Sequence, residues 1–131
     1  MLNRIQLLFL SLLFINCNSN TAEKARSSEN FDSFYEKFHR DSIFQLSRIK
    51  FPIEGKKIQE FKKEGWSSKN WEVLRSKISD VDTTKFKISA IKTDSTFIEK
   101  CYIPNSGFYT EYRFKLIDGK WNLVYALDQN I

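Results

Sequence analysis

The hydrophobic pattern changes character repeatedly along the chain. Behind a single cation, Arg4, Ile5 to Ile15 is an apolar run broken only by Gln6 and Ser11. Asn18 to Ser28 is polar, ring-free and aperiodic. From Glu29 to Arg40 the period becomes helical: Phe31, Phe34, Tyr35 and Phe38 fall at i, i+3, i+4 and i+7, one face of a helix. Ser27 or Ser28 can cap it, and Glu36 stands four residues before Arg40. Ser42 with Gln45 three residues on fits a capping box, which predicts a second short helix. Ile49, Phe51 and Ile53 then alternate, and Pro52 assigns this strand to a sheet edge or a strand end. Charges surround Ile58 and Phe61 between Lys56 and Glu64, and Gly65 follows, which reads as a charged helix and its stop. Asn70 or Ser68 can cap a further helix carrying Trp71, Leu74, Arg75 and Ile78.

The C-terminal half alternates with period two. Asp118-Gly119 between two such runs is a type I′ hairpin signal. An unbroken register from that turn pairs Leu116 with Trp121, Phe114 with Leu123, Tyr112 with Tyr125 and Thr110 with Leu127 on one face. The other face pairs Lys115 with Asn122, Arg113 with Val124 and Glu111 with Ala126. A second hairpin around Asp94-Ser95 pairs Ile88 with Cys101, Phe86 with Ile103 and Ala90 with Glu99. Pro104-Asn105-Ser106-Gly107 is the next turn.

Helices first and antiparallel strands afterwards define an α+β class, with N-terminal helices packed in a curved, mainly antiparallel sheet. That order, with the closing string Leu116-Ile117-Asp118-Gly119-Lys120-Trp121-Asn122-Leu123, resembles the nuclear-transport-factor-2-like (SnoaL-like) cone superfamily. The string Asp41 to Pro52 resembles uncharacterised Gram-negative lipoproteins assigned to that fold. The likeness spans about Phe31 to Leu127 and implies a cone that is either filled or hollow.

Composition narrows the class further. The 131 residues allow one domain. Hydrophobic content of 41%, charged content of 28%, and only four Gly and two Pro exclude collagen-like, low-complexity and wholly disordered chains. Aromatic content of 15%, with 12 Phe, requires a dense core or a lined cavity.

The N-terminal apolar run is far shorter than the ~20 residues that span a bilayer, and with Arg4 before it has the form of a secretory signal. It ends at Phe14-Ile15-Asn16-Cys17, which resembles the lipobox of bacterial lipoproteins, with Asn16 where that family carries Gly, Ala or Ser. The resemblance implies residues 1–16 as a signal peptide, Cys17 as the lipidated first residue, 17–28 as a flexible tether and 29–131 as a single domain. Eleven tether residues span roughly 18 Å as a random coil, which holds the domain beside the head groups of a Gram-negative cell envelope, facing the periplasm or the exterior. The alternative is a secreted chain cleaved elsewhere. Removing residues 1–16 takes away only Arg4, so the net charge of +5 becomes +4. An acylated Cys17 leaves Cys101 without a disulfide partner.

Candidate chemistry is sparse. Nucleotide, hydrolase and metalloprotease motifs are absent. One histidine, His39, and one spare thiol, Cys101, do not make a zinc site. His39 reads as a boundary imidazole, Cys101 as a small buried hydrophobe. No cofactor and no metal are expected. Glu99 shares a strand face with Phe97 and Cys101, so it is either a partly buried acid with a raised pKa or the partner of Lys92. Tyr112 and Tyr125 border a pocket or fill the core. Gln45 and Arg48 bracket the second helix and either bind a ligand or bond loop carbonyls. The lysines at 50, 56, 57, 62 and 63 are a solvated face or a patch that leans on anionic head groups. Nucleic acid is not expected in that compartment.

These features predict a lipid-anchored envelope domain that acts as a non-catalytic binding module, with an envelope protein or a small apolar ligand as partner. One alternative is a cone enzyme using Glu99 and a tyrosine on a small apolar molecule. Another is an immunity-like or assembly protein whose sheet face binds another protein, through an exposed apolar patch on the sheet or on Trp66 and Trp71.

Overall fold

The computed structural model describes residues 27–131. The expected signal peptide, Cys17 and most of the expected tether lie outside the described residues. Helices α1 (Phe31–Arg40) and α2 (Ser42–Ser47) pack on a six-stranded sheet of β1 (Ile49–Gln59), β2 (Lys62–Glu64), β3 (Lys87–Lys92), β4 (Thr96–Tyr102), β5 (Tyr109–Ile117) and β6 (Lys120–Asn130). The strand order is β2-β1-β6-β5-β4-β3. All neighbours are antiparallel except β1 and β6, which run parallel.

Helix α1 buries Phe31, Phe34 and Phe38, the stripe expected from its spacing. Its cap is Asn30 rather than Ser27 or Ser28: the Asn30 side chain accepts from the Ser33 N–H at 2.9 Å. Asp41 joins the helices in both directions. Its N–H donates to Lys37 O at 3.0 Å, and its carboxylate accepts from Phe44 N at 2.9 Å. It therefore takes the capping role expected of Ser42, which frees Gln45 for the interior. Glu36 bonds Lys77 and not Arg40.

Phe31 lies at the centre of the core, 4.6 Å from Phe97 and 4.9 Å from Trp121 between ring centroids. The entry to α1 is clamped onto the β5–β6 turn by Glu29. Its carboxylate accepts from Arg48 at 2.7 and 2.8 Å and from Trp121 N at 2.9 Å, and its carbonyl accepts from the Trp121 indole at 3.1 Å. Burial pushes the Glu29 carboxyl up, but these donors outweigh it and hold the group below its ordinary value.

Two expected helices are not helices. Lys56 to Glu64 forms the end of β1, a turn with Glu60 and Phe61 at positive φ, and β2. Backbone pairing of Glu54–Gln59 with Tyr125–Asn130 holds this charged segment extended. β2 covers only Lys57–Gln59, so Pro52 does lie on an open edge. Trp71 to Lys77 is irregular and ends in a single 3-10 turn, Ile78–Asp80.

The hairpins form where expected, and Asp118 and Gly119 both take positive φ. The β3–β4 register matches at Ile88–Cys101 and Ala90–Glu99, and stops at Lys87–Tyr102 before reaching Phe86. In β5–β6 the expected register holds through Phe114–Leu123 and then slips. Val124 is bulged, so Arg113 opposes Tyr125, Tyr112 opposes Ala126, and Thr110 opposes Asp128. Beyond the bulge every β6 side chain changes face. Ala126 becomes fully buried, and Tyr125 turns outward beneath Arg113, 4.2 Å from its ring centroid.

Candidate functional pocket

The irregular stretch from Trp66 to Ser76 stands against β5 and β6 and encloses a pocket of about 270 Å³. Trp66, Trp71, Val73 and Leu74 supply apolar wall, while Glu72, Arg75, Ser76, Tyr112 and Asp128 supply polar groups. The two indoles meet edge to face at 5.1 Å. Both indole N–H groups point into the protein, Trp66 to Ala126 O at 2.7 Å and Trp71 to Gln45 Oε1 at 3.1 Å. The contact at Ala126 is tight: a Cβ on Gly55 would come within 1.8 Å of the same carbonyl.

Gln45 builds this wall. Its amide nitrogen donates to Phe38 O and to Leu74 O, both at 2.8 Å. Its oxygen accepts from Leu74 N at 2.9 Å and from the Trp71 indole. By taking both backbone groups of Leu74, a side chain does for this segment what a neighbouring strand or a helical turn would otherwise do, so the spacing of Trp71, Leu74 and Ile78 does not produce a helix. Gln45 is fully buried and its amide is filled by protein partners. Arg48 is held by Glu29, by Trp121 O at 3.0 Å, and over the Phe44 ring at 4.5 Å. Neither side chain lies in the pocket.

Polar groups inside the pocket are less fully engaged. Among the described residues no protein group bonds the Tyr112 hydroxyl. Burial pushes its pKa up, and Asp128 and Glu99 add to the rise. Burial also pushes the Asp128 carboxyl up, opposed by Lys57 and by a hydrogen bond from Thr110, and reinforced by Glu72. Lys57 reaches across from β1 to bond Glu72.

Glu99 lies behind the pocket. It is 2% exposed and accepts from the Tyr35 hydroxyl at 2.5 Å, while its Oε1 finds no partner among the described residues. Burial pushes its pKa up to about 7, and the Tyr35 bond pulls the other way. Lys92 does not pair with it and instead sits over the Phe31 ring at 5.4 Å. Glu99 opposes Tyr112 across the β4–β5 ladder, and neither Glu99 nor Tyr35 lines the pocket.

The remaining candidates have structural positions. Tyr125 is on the outer face. His39 is buried rather than at the boundary, with Nδ1 2.9 Å from Tyr35 O, and burial lowers its pKa. Cys101 is buried among core residues, and burial raises its pKa. Of the clustered lysines, Lys57 pairs with Glu72 and Lys62 with Glu64. No group of three or more metal-ligating side chains occurs among the described residues. Asp128, Glu72 and Arg75 were not singled out from sequence. The unbroken register puts Leu127 inside and Asp128 outside, and only the Val124 bulge exchanges them.

Two short helices seated in a curved, mainly antiparallel sheet, with a pocket at the junction of loop and sheet, define a cone-type α+β domain. A family model matches residues 29–130, and the fold is that of nuclear-transport-factor-2-like proteins. An NMR structure of a protein from Bacteroides uniformis shares the fold at 21% identity and a TM-score of 0.56, over 79% of this chain and 78% of that one. A crystal structure of an NTF2-like protein from Bacteroides fragilis shares it at 22% identity and a TM-score of 0.55. That match spans 79% of this chain and 48% of the other, so the domain equals about half of that protein. No curated protein matches the sequence.

Two substitutions test the arrangement. Gln45→Leu strands a buried indole N–H, the Leu74 N–H and two carbonyls. At ~1–3 kcal/mol for each unsatisfied group that water cannot reach, denaturant unfolding should show a loss of at least about 3 kcal/mol. The Leu74 amide should also lose its protection from hydrogen exchange, and an unchanged Leu74 amide would contradict the role assigned to Gln45. For Glu99, the folded state keeps its proton up to about pH 7, above the ordinary value of 4.5. The stability this gives is full below the unfolded pKa and is lost as pH rises through 7. The buried His39 imposes the opposite slope, so the comparison must be between variants. Glu99→Gln should remove ~2–3 kcal/mol of the stability decline between pH 5 and pH 8. Parallel stability curves for the two proteins would exclude a proton held at this site.

Proposed function

We propose that this protein is a lipid-anchored domain of a Gram-negative cell envelope, and that it works as a non-catalytic binding module through the pocket between Trp71, Tyr112 and Asp128. The observation that carries the reading is the contrast within one wall. Its structural polar groups, Gln45 and both indole N–H groups, are bonded to protein, while Tyr112, which lines the pocket, has a hydroxyl that no described protein group bonds. Ligand sites combine a mostly apolar lining with a few convergent polar groups left free for the guest.

The enzyme alternative has one observation in its favour, a carboxyl poised near neutrality beside a tyrosine hydroxyl. That tyrosine is Tyr35, however, and a guest in the pocket meets neither group, so the pair is better read as part of the core. The protein-docking alternative relied on tryptophans presented outward. Trp66 is buried and Trp71 is half-buried against Phe51 at 5.9 Å and Trp66, which weakens the tryptophan part of that reading, while Ile88 and Ile91 of β3 remain exposed on the sheet.

The anchor rests on the Cys17 motif and the tether that follows it. Cys17→Ser should move the protein from the membrane fraction to the soluble fraction after cell lysis, and a variant that stays with the membrane would defeat the lipobox reading. The pocket is tested by native mass spectrometry after incubation with a small-molecule extract of the envelope. The wild-type chain should carry a low-mass adduct that Leu74→Arg, which fills the pocket, abolishes. An adduct that survives Leu74→Arg would place binding elsewhere.

A further inference from the structure

The pocket's charges balance. Glu72 and Asp128 are offset by Arg75 and by Lys57, which is bonded to Glu72. A guest ion of either sign therefore meets no net opposite charge to repay the loss of its own hydration. A purely apolar guest fares no better. It would strip water from the Asp128 carboxylate and from Tyr112 Oη, which no described protein group bonds, with nothing offered in exchange. The lining instead mixes donors (Arg75), acceptors (Glu72, Asp128) and hydroxyls that do both (Tyr112, Ser76) with the apolar surfaces of Trp71 and Leu74. Its size, about 270 Å³, is just under the ~300–1,000 Å³ of sites that enclose drug-sized molecules.

A neutral ring with an apolar C–H face and several hydroxyls meets all of these conditions. Each hydroxyl donates and accepts, so it can use a carboxylate and a guanidinium in the same site. Its C–H face can lie against an indole whose own N–H is already committed to Gln45. Building on the binding reading above, we infer that the pocket takes a single pyranose unit of a neutral saccharide, with Tyr112, Asp128 and Arg75 bonding its hydroxyls and Trp71 covering its apolar face. The pocket mouth is open to solvent, so the rest of a saccharide chain can extend outward from the bound unit.

The probes are methyl glycosides of glucose, mannose, galactose and N-acetylglucosamine, with cyclohexanol as an apolar ring and tetramethylammonium as a cation. Each is titrated into the full-length protein in detergent while the Trp71 indole N–H is followed by NMR. At least one glycoside should shift that signal and saturate in the millimolar range, about −4 kcal/mol. Tyr112→Phe removes a hydroxyl that no described protein group bonds, so it should leave the melting temperature unchanged and weaken the glycoside about tenfold. A glycoside shift that Tyr112→Phe leaves intact overturns the proposal, because the sugar is then bound elsewhere. If only cyclohexanol or tetramethylammonium shifts Trp71, the saccharide assignment falls and the binding reading stands. If no probe shifts it and the envelope extract gives no adduct, both fall.

Discussion

One buried amide decides whether this domain has a pocket. Gln45 has no water to bond, so its two donors and two acceptor sites must be met by protein, and they are met by Phe38, Leu74 and Trp71. Each such bond contributes only ~0.5–1.5 kcal/mol net. The cost of leaving any of them unmade is larger, so the set acts together. It ties the end of α1 and the middle of α2 to a segment with no regular structure of its own. Without it, the loop from Trp66 to Ser76 would have little reason to stand away from the sheet, and the space beneath Trp71 would have no wall. Asp41 makes this possible by capping both helices, since a Gln45 engaged in a capping box would be turned toward solvent.

A second constraint works through the backbone of β6. The bulge at Val124 rotates the strand so that Ala126 faces inward and is fully buried in the core. Gly55 allows β1 to approach the same carbonyl that accepts the Trp66 N–H. The same rotation brings Asp128 into the pocket and puts Tyr125 outside, where it stacks under Arg113, which in turn bonds Glu111 at 2.6 Å. One extra residue thus decides which acid the pocket contains.

What could be read from sequence follows from this. The α1 stripe, the Asp118-Gly119 turn and the register near each turn are local properties, fixed by period and by turn chemistry, and they were legible. The charged strand Lys56–Gln59 was not. Its extended form comes from parallel pairing with β6, a partner more than sixty residues away, while its own side chains alternate weakly. Trp71 to Ile78 carried a true helical spacing, but a distant side chain took the Leu74 backbone groups. For Gln45 and Arg48 the sequence left two roles open, ligand binding or bonding to loop carbonyls, and the carbonyl bonds are the ones seen; which carbonyls they are was not legible, because a sequence shows that a polar residue sits among apolar ones and does not show what satisfies it. Tyr112 keeps its expected face because the bulge falls on β6 and not on β5, although its partner changes from Tyr125 to Ala126. Asp128 was hidden by the bulge.

The buried acid and the pocket illustrate opposite solutions to the same electrostatic problem. Glu99 is removed from water with a single donor, and the chain accommodates it by keeping its proton near neutrality, which lowers the cost of an oxygen without a partner. Asp128 is less deeply buried, and Lys57 stabilises its charge across the β1–β6 ladder. The neutral solution suits a core that no guest enters. The charged, partly solvated one suits a surface whose hydrogen bonds are to be exchanged with a visitor, since water can occupy the carboxylate until a hydroxyl replaces it. Tyr112 is tied to both acids, opposite Glu99 in the ladder and lining the pocket with Asp128, and both acids raise the pKa of its hydroxyl.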